Sequence, residues 1–236
     1  MELVGHPGRV ARAACPSTSL RALRWWVEGG QVRPRTCRYD RCFMAVPGLF
    51  TLTPENDAFR GQFEALSAEA DALVAPLSDE QFVWQPAPDA WSVAQCLDHL
   101  NVTARQYLER LDEGIASAMR HGLSSAGPYT YNWIGRLMVY LAEPTTRLRA
   151  RAPKAFQPGP GRPRHEVMAA FRAYQVQYID RLRQANGLDL ARARVASPVA
   201  RWIRMPLGSG FAMMVAHERR HVAQARRVLD AEGFPT

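Results

Sequence analysis

Ser92-Val93-Ala94-Gln95-Cys96-Leu97-Asp98-His99-Leu100 opens the longest patterned run in the chain. Ser92 with Gln95 three residues on is a capping-box pair, the arrangement that satisfies the first free N–H groups of a helix. Behind it Val93, Leu97, Leu100, Ala104, Leu108, Leu111 and Ile115 recur at three- and four-residue steps. That spacing puts one apolar stripe on a helix of many turns. Such a helix needs partners of similar length, and the flanking sequence supplies them.

Upstream, Pro54-Glu55 starts a helix that runs to about Val74, with Phe59, Phe63, Leu66, Ala70 and Leu73 on its apolar face. Asp79–Trp91 reads as a loop rich in proline and aromatics. Downstream, a Gly/Pro break at Gly122–Pro128 precedes a shorter helix near Trp133–Ala142. A third long helix spans about His165–Asn186 and closes at Gly187. The last runs from Gly208-Ser209-Gly210 to about Ala231, with Gly233 as its stop. No stretch shows the β-branched alternation of a strand series. The expectation is an all-α fold, a four-helix bundle with long connections, over residues 53–233.

Residues 1–43 differ from this body. They hold eight of the chain's 30 basic residues against three acids, a net +5 of the total +8, and three of its four cysteines. They show no helical or strand period, and Arg21 and Arg24 interrupt the apolar run a secretory signal needs. The expectation is an Arg-rich extension, disordered or an upstream stretch from a mis-assigned start. Cys15, Cys37 and Cys42 with His6 offer a zinc site on paper, without a second closely spaced ligand pair. The body carries only +3 and has no helix-turn-helix or finger pattern, so no nucleic-acid partner is expected. No apolar run approaches the ~18–20 residues that span a bilayer. A cytoplasmic protein without a membrane partner is the reading.

The chemistry lies in three helical histidines. His217 and His221, at i and i+4, project from one face about a turn apart, in a row with Met214, Gln224 and Val228. His99 flanks the core stripe of its helix, where a side chain can enter a cavity between helices. Three neutral imidazoles on one cavity would bind a divalent ion and leave positions for water or substrate. Periodicity does not show that His99 meets the pair. His217-Glu218-Arg219-Arg220-His221 also matches the H-E-x-x-H pattern of zinc proteases. Gln224 and Arg227 stand where the metzincin extension has its Gly and third His, and Glu232 is a poorly placed substitute. Glu218 is the candidate base or ligand-supporting carboxylate.

Two motifs then carry a resemblance. Pro88-Asp89-Ala90-Trp91-Ser92 through His99-Leu100 resembles the W-S-x-x-x-x-x-x-H-L signature of the DinB/YfiT-like superfamily. Phe211 to Leu229, with His217, Arg220, His221 and Gln224, is similar to its last helix, H-x-x-R-H-x-x-Q. The resemblance covers about residues 54–231. It implies an up-down-down-up four-helix bundle and a three-histidine metal site, commonly zinc or nickel. Mapped here, the ligands are His99, His217 and His221. Relatives include metal-dependent thiol transferases and isomerases using low-molecular-weight thiols, and others assigned as hydrolases; some form dimers, which leaves a homodimer open. The implied function is activation of a thiol or water for S-transfer to an electrophilic small molecule or for hydrolysis. The alternative is a metal-stabilised binding module without turnover. Arg105 or Arg201 are candidates for recognising a thiol at the pocket mouth. Cys96, Trp84, Trp91 and Asp98 read first as packing, loop anchors and a solvated face; His121 and His165 read as surface residues.

Overall fold

Capping residues and apolar stripes set most element bounds in the computed structural model, which describes residues 51–145, 152–159 and 161–236, and two short strands near residue 30. The chain divides into two units, Met1–Leu49 and Phe50–Thr236. In the first, β1 (Val27–Glu28) pairs antiparallel with β2 (Gln31–Val32), Val27 opposite Val32. Two-residue strands are too short to show a period, which is why the sequence reading has none there. The cysteines and His6 of the first unit lie outside the described residues, as does the reading of that segment as disordered.

The second unit is mostly helical. Pro54 at the first position and Glu55 and Asp57 in the first turn start α1 (Pro54–Val74). Within the stretch read as a loop, a short helix α2 (Asp79–Val83) forms, because Ser78 and Gln81 make a capping box of their own. The Ser92–Gln95 box holds the start of the 28-residue α3 (Val93–Arg120). Asn132 caps α4 (Trp133–Ala142) by accepting from the Gly135 N–H. A 3-10 turn at Lys154–Phe156 precedes α5 (Arg164–Gln184), after which Gly187 at φ +81° redirects the chain. A strand pair, β3 (Arg194–Ala196) with β4 (Arg204–Pro206), leads directly into α6 (Leu207–Leu229). This antiparallel pair corrects the strand-free expectation; three residues per strand carry too little alternation to read.

The long helices bury their stripes on one another. α3 packs against α5 and α6, α1 packs against the same two, and α4 lies on α6. Phe63 stacks on Tyr178 with ring centroids 4.7 Å apart, and Phe59 meets Phe211 at 6.1 Å, joining α1 to α5 and to α6. The β3–β4 pair enters where α3 has no side chain. A Cβ at Gly114 would sit 2.8 Å from the Arg194 carbonyl oxygen. The residue that costs about 1 kcal/mol of helix propensity therefore admits a strand backbone.

Candidate metal centre

His99 lies two turns into α3, and its level is set by the capped start of that helix. His217 and His221 lie one turn apart in the middle of α6. The packing of α3 on α6 brings all three rings together: centroids are 5.2 Å apart for His99–His217, 4.5 Å for His99–His221 and 4.6 Å for His217–His221. One ring nitrogen from each lies within 4.8 Å of the others, so the three could hold a metal ion. The juxtaposition that periodicity left open is thus present.

Three observations fit the rings to that task. The His99 Nδ1 faces the Phe156 carbonyl oxygen at 2.6 Å, which makes Nδ1 the donor and leaves a lone pair on Nε2. That Nε2 stands 3.1 Å from the His217 Nε2. Two nitrogens about 2.05 Å from one ion at a tetrahedral angle would be about 3.3 Å apart, close to this separation. The His221 Nδ1 is buried and has no hydrogen-bond partner. Burial also keeps the rings neutral: desolvation lowers His99 below the ordinary histidine range, takes His217 down to about 3, and pushes His221 lower still. Neutral imidazole is the form that ligates.

Residues around the rings hold them in place. Trp91 packs against His99 at 4.8 Å and His221 at 5.7 Å, a closer role than loop anchoring. Trp84 meets Phe234 edge-on and stays outside the cluster. Asp98 is not a solvated residue. Its buried carboxylate accepts from the Gly159 N–H and the Arg162 guanidinium, both at 2.8 Å. Those bonds pin the segment that carries the Phe156 carbonyl. A lone aspartate in a helix has no sequence signal for this, since its partners lie about 60 residues on.

A cavity of about 1330 Å³ opens onto the three histidines. Its wall includes Trp91, Thr103, Tyr107, Met213, Arg220 and Arg227, but neither Arg105 nor Arg201. Glu218 is not among the lining residues either. It is buried, and its carboxylate accepts from the Gln175 amide of α5 at 3.1 Å; burial pushes its carboxyl up to about 8. Cys96 packs in the core, with its thiol pushed up to about 12 by desolvation. His121 and His165 are exposed, as expected.

The family model of the DinB superfamily matches residues 62–225, which include both α3 and the histidine pair of α6. The chain belongs to the DinB superfamily. No curated protein and no solved structure matches it. Within this DinB domain the match spans every described side chain placed at the cluster. No helix among the described residues is long and apolar enough to cross a membrane.

Proposed function

We propose that this DinB-superfamily chain is a divalent-metal-dependent enzyme, with His99, His217 and His221 as ligands to zinc or nickel, acting on an electrophilic small molecule with a low-molecular-weight thiol. The observation that carries it is three neutral imidazoles converging on one side of a large, mixed-polarity cavity. A structural metal site is closed by its protein ligands, whereas three nitrogens facing a cavity leave room for substrate. A bound ion would supply Lewis acidity toward a thiol or water. His99 is oriented for this by the Phe156 carbonyl, Trp91 shields two rings from solvent, and the apolar wall at Met213 and Tyr107 limits water around the reacting groups. Hydrolysis uses the same ligands and is the second outcome of the test. Glu218 is assigned no proton transfer, since its partner is Gln175 and it lies off the cavity wall. The pairing of α1, α3, α5 and α6 supports a DinB-type four-helix bundle in up-down-down-up order.

Metal analysis of protein purified without added metal tests the site. About one ion per chain is expected, lost in His217→Ala. Stoichiometric metal in the His99→Ala/His217→Ala/His221→Ala variant would refute it. Thiol-dependent conjugation of an electrophile, abolished in that variant, supports the transferase; turnover of esters or amides without thiol would replace it with a hydrolase. Metal binding without either activity leaves a binding module.

A further inference from the structure

Exposed apolar side chains of the helical unit gather on one edge, along α4 and the β3–β4 hairpin. α4 carries one charged residue, Arg136. Its inner side is fixed at Gly135, where an added Cβ would run into Ser209 of α6 and come within 3.2 Å of the Pro206 ring. Its outer side shows Trp133, Leu137, Tyr140 and Leu141 to solvent, positions that share one helical face, with Arg136 exposed on the flank. The hairpin lies beside it: Pro206, the last residue of β4, abuts Gly135, and Val199 in the hairpin loop lines the same cavity as Leu141. Val195 and Met205, opposite each other in the register, are buried, which turns Arg194 and Arg204 outward. At the loop Val199 and Trp202 stand in solvent; the Trp202 indole is 84% exposed and that of Trp133 72%. Clustered apolar surface of this kind marks a contact site.

The same edge is basic without relief. No acidic residue occurs between Gly122 and Ala142 or between Leu190 and His217, whereas Arg136, Arg192, Arg194, Arg201 and Arg204 do. All five are exposed, and no guanidinium among them makes an ion pair or hydrogen bond with a described residue. The acids that flank these stretches are committed: Asp189 accepts from the Ala191 and Arg192 N–H groups, and Glu143 pairs with Arg219 at 3.6 Å. Arginines elsewhere differ, since Arg60, Arg110, Arg172, Arg181 and Arg226 each meet a carboxylate at 2.6–2.9 Å. A second copy does not suit this face. A two-fold interface sets a patch against itself, so arginines of both copies would meet with no carboxylate between them. Single-stranded nucleic acid would answer the charge and stack on the indoles, but it leaves Leu137, Leu141 and Val199 without apolar cover.

We propose that this edge docks on a bilayer surface rich in anionic lipid. α4 lies in the interface with its leucines toward the acyl boundary, Trp133 and Trp202 sit at headgroup level, and the arginines meet lipid phosphates and carboxylates. The expectation of no membrane partner rested on the lack of a spanning run, which a helix lying in the interface does not need. Leu141 and Val199 also line the cavity, so docking brings the cavity edge to the lipid. The proposal stands apart from the metal reading.

Sedimentation of the full chain with vesicles at physiological salt tests it. Vesicles of phosphatidylcholine and phosphatidylserine in equal parts should bind the chain, and phosphatidylcholine alone should bind it roughly tenfold more weakly or less. Arg201→Gln/Arg204→Gln should weaken binding about 25-fold, at about fivefold for each arginine near an anionic surface. Trp133→Ser/Trp202→Ser should weaken it too, whereas Arg172→Gln, whose partner is Asp71, should not. Phospholipid brominated on its acyl chains should quench the chain's tryptophan fluorescence, and less so in Trp133→Phe/Trp202→Phe. The substituted side chains of the edge are exposed, so these variants should keep the wild-type melting temperature. No binding, equal binding to both vesicles, or quenching indifferent to the phenylalanine variant overturns the proposal. Unchanged binding in the arginine and serine variants also overturns it, and assigns the attraction to the Arg-rich residues 1–43. So does tighter binding of a single-stranded oligonucleotide that the arginine variant loses, or a dimer in sedimentation equilibrium that Leu137→Ser dissolves.

Discussion

Asp98→Asn should loosen a metal that Asp98 never touches. The carboxylate is 3% exposed and accepts two bonds, one from the Gly159 N–H and one from Arg162, both at 2.8 Å. Asparagine offers one acceptor in the same space, so its amide must point at one of the two donors. A buried donor left unpaired costs about 1–3 kcal/mol. Arg162 is 38% exposed, so its own charge returns to water and the lost Coulomb attraction adds little. A loss of about 2 kcal/mol in a domain of this size lowers the melting point by roughly 4–8 °C. The larger consequence is at His99. Asp98 pins Gly159 and Arg162, that segment carries the Phe156 carbonyl, and the carbonyl fixes the His99 ring. A group bonded directly to a ligand changes metal affinity by about 10–100-fold, so Asp98, one step further out, should act at the lower end, about tenfold. The assay pairs thermal denaturation of metal-free protein with zinc competition against a chromophoric chelator. Full destabilisation with unchanged zinc affinity would show that the segment does not orient His99. No change in either would refute the assignment of Asp98 altogether.

Other outcomes follow from packing and burial. Gly114→Ala should destabilise the chain by about 1 kcal/mol in denaturant unfolding, because the new methyl group meets the Arg194 carbonyl at 2.8 Å and overpacking outweighs the propensity gain; a stabilised variant would contradict the close approach of β3. Cys96 should resist alkylation at pH 8 until denaturant is added, as followed by peptide mapping, since burial holds its thiol protonated to about pH 12. Because that raised value favours the neutral thiol in the fold, its contribution to stability is intact below pH 9 and is lost as pH climbs from 9 toward 12. Labelling of native protein at pH 8 would overturn this.

The stripes from Phe59 to Leu73 and from Val93 to Ile115 were legible because each repeats over many turns, and their helices form where the spacing places them. The short elements were not. α2 rests on one capping box inside a proline-rich stretch, and β3 lies against α3 where Gly114 leaves room for the Arg194 carbonyl, a tertiary fact with no local trace. At the site, the His217–His221 pair reads directly from helical spacing. That His99 joins it depends on how α3 lies against α6, and only the structure brings those rings together. Asp98 and the Phe156 carbonyl act through partners remote in sequence, so residue type alone could not single them out.

The two helices that bring the histidines together come from opposite halves of the domain, with His99 and His217 separated by 118 residues. Closing so long a loop is slow compared with forming either helix, so the cluster cannot assemble until the domain's topology is in place. An ion held by nitrogens of both helices would tie α3 to α6 across that loop. Unfolding would then have to break that tie, so zinc added to metal-free protein should slow the separation of the two helices.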